Sequence, residues 1–290
     1  MSTSDNPQFD PLSPSAHHDP AQAPLAIPAE TPVALATPSI VQASGENPVW
    51  NGWDVLLIAI LTVLTLIVVE LMTVLGARVF VYPHASLGEL AQMPKLALIG
   101  EFLAYIGVAI YMILLVEGKY HQAFSKAIMW NWRGKPAFGL FGLGVLTVAL
   151  DLLSRFLPMP KSTPFDQFFA HPTDAYLIAA FAVTVGPLME ELLFRGFLYP
   201  VLARSTGVGL AVFLTALPFG LMHYLQYRSW SAVLVITLVG VVLTTVRAVT
   251  KSVAASFLVH VGYNFTLMVL AAIATDGFRH MDKASIVLPR

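Results

Sequence analysis

The chain has 290 residues, 57% apolar and only 11% charged, with a mean hydropathy of +0.72; an ordinary soluble domain carries about a quarter charged residues. A soluble protein is excluded on that ground. With 16 Lys and Arg against 17 Asp and Glu there is no basic excess for nucleic acid, and the absence of Cys removes disulfides, iron–sulfur clusters and thiolate zinc sites.

Residues 1–50 form a compositional block of their own. Nine prolines, from Pro7 to Pro48, are spaced among Ala, Ser and Thr, and no Lys or Arg precedes Arg78. Prolines at that spacing block helix formation, and there is no apolar face to bury, so the block reads as a disordered, extended tail. It lacks the basic start and apolar run of a signal peptide. No partner for the tail is readable from its composition.

From Trp53 onward, apolar runs recur at the length of about 20 residues that crosses a bilayer. They predict seven spans, at roughly 54–80, 96–116, 137–157, 175–203, 207–226, 231–249 and 252–274. The predicted fold is an all-α, polytopic transmembrane helix bundle. Residues 51–174 hold the first spans, 175–275 a functional core, and 276–290 a short C-terminal tail. Trp53, Tyr120, Trp130 and Trp132 fall near span ends, as interfacial aromatics do. Lys119, Lys126, Arg133 and Lys135 place loop 117–136 in the cytoplasm, whereas Arg279, Lys283 and Arg290 argue for a cytoplasmic C-terminus; seven spans cannot satisfy both. No internal repeat of the transporter kind is present.

Ionisable residues within spans are costly and need an account. Asp151 and Arg155 lie four apart, one helical turn, and read as a neutralising pair. Glu70 and Glu101 read as structural, and Arg247 sits near enough to a span end to snorkel. The fourth span differs, with V-G-P-L-M-E-E-L-L-F-R-G across 185–196. The spacing pairs Arg195 with Glu191 on one face. Glu190 points about 100° away and is left free to face a cavity, and Pro187 opens the turn before it. Two readings stand for this set: a carboxylate poised as a general base, or a triad that locks helices together.

The fifth span carries Phe219 and His223 four apart, and the seventh His260 and Asn264 four apart. A hairpin at Ser205–Gly207 puts Glu190 and His223 each about 16 residues, or about 24 Å, from the turn, at matching depth. His260, only about nine residues past the turn at Thr250–Ser252, falls about 10 Å short on straight helices.

Glu190-Glu191-x-x-x-Arg195, Phe219-x-x-x-His223 and His260-x-x-x-Asn264 together resemble the three motifs of the CPBP family of intramembrane proteases, which includes CAAX prenyl endopeptidases of the Ras-converting type and bacteriocin-processing proteins. The flanks Pro187, Phe194-Arg195-Gly196 and Gly220 also agree, and the resemblance covers about 175–275. It implies a multi-pass membrane endopeptidase that hydrolyses membrane-associated or CAAX-like peptides, with the bilayer and a peptide or membrane-protein substrate as partners and no nucleic acid. Carried over by motif position, Glu190 and His223 activate water, His260 and Asn264 stabilise the oxyanion, and Glu191 and Arg195 hold the site in shape. Members are also catalogued as metalloproteases. Zinc is the one cofactor the resemblance admits, with Glu190, His223 and His260 as the ligand set, but H-E-x-x-H is absent and a metal-free mechanism is favoured. The short core without long soluble loops suits a bacterial plasma-membrane protein. A non-catalytic scaffold of the same fold and a proton-coupled transporter are the rival readings.

Overall fold

The structure is a computed structural model that describes residues 46–280 apart from 133, 135 and 161. Residues 1–45 of the tail expected over 1–50, and the chain beyond 280, lie outside the described residues. Seven helical segments are long and apolar enough to cross a membrane: α1 (Gly52–Phe80), α2 (Pro94–Lys119), α3 (Ala137–Phe156), α4 (Pro172–Thr206), α5 (Val208–Tyr227), α6 (Trp230–Thr250) and α7 (Val253–Ala274). No strand occurs among the described residues. The chain is an all-α, multi-pass membrane bundle, and its span positions follow the apolar runs within a few residues.

Side-chain burial reads like that of a protein in lipid. Along α1, Leu57, Val63, Ile67 and Leu71 remain about half exposed, because hydrocarbon rather than water is the solvent for that face. Local chemistry starts the helices. Asn51 caps α1 in a reciprocal box with Asp54, and Ser229 and Ser252 cap α6 and α7. Gly207, at φ +80°, ends α4 and begins α5, so the two form the tight hairpin that the sequence indicates.

Packing is set where helices approach backbone to backbone. A Cβ on Gly262 of α7 would lie 2.5 Å from the Phe141 carbonyl oxygen of α3, and one on Gly144 would meet the Val259 carbonyl of α7. The α3–α7 crossing therefore depends on two glycines, as small-residue helix contacts in membranes do. Gly220 plays the same part between α5 and Thr237 of α6.

Two expectations about ionisable residues change. Arg247 does not snorkel. It is 1% exposed, and its guanidinium donates to both oxygens of Glu46 at 2.9 and 3.0 Å. Lys251 reaches the same carboxylate at 3.1 Å. Burial opposes the charged form of Glu46, but the hydrogen bonds and charges of Arg247 and Lys251 outweigh it and hold the carboxyl below its ordinary range. Trp50 is fully buried and donates to the Phe197 carbonyl, while Arg204 donates to the carbonyls of Pro48 and Trp50. Residues 46–50 are thus packed against α4 and α6.

Asp151 and Arg155 do not pair. The segment Val148–Phe156 is a 3₁₀ helix, in which side chains three apart eclipse and those four apart diverge by about 120°. Asp151 is consequently buried, with its Oδ1 accepting from the Tyr263 hydroxyl of α7 at 3.2 Å, while Arg155 is exposed.

Candidate active site

α4 is interrupted where its sequence demands it. Its first helical stretch ends at Val183, and Thr184 takes φ −119° and ψ −71° before the helix resumes at Val185. The ring of Pro187 clashes with the carbonyl four residues back, at Val183, and its nitrogen offers no hydrogen. The helix then widens into a π-helical stretch over Glu191–Leu198, a distortion found often at functional sites. This irregular segment presents Glu190 and Glu191 in different directions.

Glu191 points inward and is fully buried. Its Oε1 accepts from Arg195 at 3.0 Å, and its Oε2 accepts from the Ser256 hydroxyl. Arg195, also fully buried, continues to the Thr244 hydroxyl and the Gly240 carbonyl, each at 3.2 Å, and lies 4.2 Å over the Phe219 ring. Every face of the guanidinium is thereby satisfied, which a buried charge requires. The Ser256 hydroxyl is directed to Glu191 and the Leu243 carbonyl rather than to His260.

Glu190 points the other way, into a cavity of about 550 Å³ that His223, His260 and Asn264 also line. Its Oε1 lies 3.8 Å from His223 Nε2 and its Oε2 lies 3.5 Å from His260 Nε2. The other nitrogen of each ring is occupied. His223 Nδ1 meets the Phe219 carbonyl at 2.8 Å, and His260 Nδ1 meets Glu191 Oε1 at 3.0 Å. Both of those oxygens can only accept, so both Nδ1 atoms carry hydrogen, and each ring turns its Nε2 toward Glu190. The carboxylate and the two Nε2 atoms line one cavity, an arrangement suited to a water molecule that donates to two of them.

His260 reaches Glu190 despite the shortfall in depth expected of straight helices. Ser252 and Val253, at the start of α7, are fully buried, with Ser252 donating to the Asn131 carbonyl and the Val253 amide to the Met129 carbonyl. Asn264 sits at the cavity wall, one amide hydrogen donated to the Ala182 carbonyl at 2.7 Å and the second available.

The structure brings all seven motif residues into one site. It adds Thr244 behind Arg195, which pattern reading does not single out, and it places Glu101, read from the sequence as structural, on the cavity wall, where it accepts from the Tyr105 hydroxyl at 2.6 Å. The four-residue spacing of Glu101 and Tyr105 is the only trace of that pair in the sequence. Among the described residues no group of three or more His, Asp or Glu side chains is placed to hold a metal ion.

Residues 172–266, which contain every one of the seven motif side chains, match the family model described as type II CAAX prenyl endopeptidase Rce1-like. That segment is similar to the CAAX prenyl endopeptidase family, in agreement with the motif resemblance. No curated protein and no solved structure matches the chain.

Proposed function

We propose that the protein is an intramembrane endopeptidase that cleaves membrane-associated or C-terminal CAAX-like peptides with a water activated by Glu190. The observation that carries this reading is the Glu190 carboxylate flanked by two histidine Nε2 atoms, at 3.8 and 3.5 Å, on the wall of a cavity. Water held between these acceptors loses a proton to Glu190 as its oxygen attacks the scissile carbonyl, with His223 orienting it. The tetrahedral oxyanion receives the free amide hydrogen of Asn264, while His260, with its hydrogen on Nδ1, keeps its Nε2 toward the water site. Glu191 fixes that tautomer and orientation, as a buried carboxylate does for a catalytic histidine. Glu190 then returns its proton to the leaving amine, so protons balance over the cycle.

Arg195 acts through Glu191 and does not touch the substrate. No metal enters any of these steps. The supporting test is comparative proteomics of membranes from cells with wild-type protein and with Glu190→Ala. Fragments that appear only with the wild type identify the substrates; identical fragment sets would contradict the protease reading.

A further inference from the structure

The proposed mechanism leaves one buried acid of the cavity unused. Asp151 lines the same cavity as Glu190 and is 8% exposed. Its Oδ1 accepts from the Tyr263 hydroxyl at 3.2 Å, and its Oδ2 is buried without any hydrogen-bond partner. Tyr263 lies between His260 and Asn264 on α7, so Asp151 is held beside the reaction site by the helix that carries two of its residues. An orphaned carboxylate oxygen in this setting is costly, because removing it from water is not offset by a bond within the protein.

The charge of the lining points to what offsets it. Glu101, Asp151, Asp166 and Glu190 line the cavity, and among the described residues no Lys or Arg does. The other three carboxylates have local neighbours: Glu101 the Tyr105 hydroxyl, Asp166 the amide and hydroxyl of Thr163, and Glu190 the two histidines. Of the four, Asp151 is the one with a buried oxygen that has no hydrogen-bond partner. A cation that enters the cavity gains from all four and loses to none.

We propose that Asp151 is a specificity subsite that binds the ammonium or guanidinium of a lysine or arginine side chain in the peptide held across Glu190. This deepens the protease reading and rests on it. The basic side chain donates to Asp151 Oδ2 in a charge-assisted hydrogen bond, while the Tyr263 hydroxyl keeps the carboxylate in place through Oδ1.

The test uses the full-length protein in lipid nanodiscs and a set of fluorogenic peptides carrying lysine or the neutral isostere norleucine at one position after another. At one position near the cleaved bond, kcat/KM for lysine exceeds that for norleucine by about tenfold or more. The ratio falls to about one in Asp151→Asn and is partly restored in Asp151→Glu. A wild-type ratio near one at every position overturns the subsite, and so does a preference that survives Asp151→Asn. Binding of the same peptides to Glu190→Gln protein, read by fluorescence anisotropy, separates this inference from the protease reading. Should no peptide be cleaved, the protease reading fails, and tighter lysine binding that Asp151→Asn abolishes still upholds the subsite. Equal binding of the two peptides, or none, overturns it.

Discussion

Glu191 and His260 are joined at 3.0 Å from carboxylate Oε1 to ring Nδ1, with Glu191 fully buried and His260 3% exposed. The same oxygen accepts from Arg195, so one carboxylate both neutralises the buried guanidinium and fixes the imidazole tautomer. His260 is left with Nε2 toward Glu190. Glu191→Gln keeps the shape but removes the charge that holds this arrangement. It lowers kcat by about 100-fold or more with little change in KM, measured by steady-state kinetics on a cleaved peptide. A pure KM effect would instead place Glu191 in substrate binding.

Arg195→Ala acts on stability as well as on turnover. It strands Glu191 in the core and leaves the Gly240 carbonyl and Thr244 hydroxyl without their donor. Breaking one side of a buried pair costs about 3–5 kcal/mol, so the expected result is reduced yield and a lower melting temperature in detergent. A fully stable but inactive Arg195→Ala protein would move Arg195 into direct contact with substrate.

The anchor at Glu46 gives a pH-dependent prediction. Its carboxyl titrates below its ordinary value of 4.5 in the folded state, so its contribution to stability is present in full above that value. It is lost as pH falls through the folded value. Glu46→Gln therefore melts below wild type at pH 7, and the difference shrinks toward zero as pH drops below about 4.5. Deleting residues 2–45 leaves the anchor and the cleavage rate on a short peptide unchanged, whereas deletion through residue 48 removes the partner of buried Arg247 and lowers stability. Equal melting of the two deletions would show that the clasp contributes nothing.

Chelation tests the metal-free mechanism. Dialysis of active protein against excess chelator leaves the cleavage rate unchanged, and elemental analysis finds less than stoichiometric zinc. Stoichiometric zinc whose removal stops cleavage and whose return restores it would make Glu190, His223 and His260 a ligand set after all.

Much of this arrangement is legible in the sequence because it is local. Seven spans follow from uninterrupted apolar length, and the α4–α5 hairpin from Gly207. The break before the glutamates follows from Pro187, and the Glu191–Arg195 pair from a spacing of four. What escapes is set by distant or irregular geometry. Glu46 meets Arg247 across 201 residues, and it belongs to a stretch whose proline content suggests only a tail. Asp151 and Arg155 have the spacing of an α-helical pair, but a 3₁₀ segment turns them apart. His260 falls short in depth on ideal helices, whereas in the structure its Nε2 lies 3.5 Å from Glu190.

The central claim is that Glu190 takes the proton from the attacking water. Its most direct test is the cleavage rate of purified Glu190→Gln protein against wild type, on one defined peptide, with products identified by mass spectrometry. The amide keeps the shape of the site and cannot act as a base, so turnover falls by about 10²-fold or more while expression and melting temperature stay near wild type. Turnover above about a tenth of wild type in a correctly folded Glu190→Gln protein would contradict the assignment.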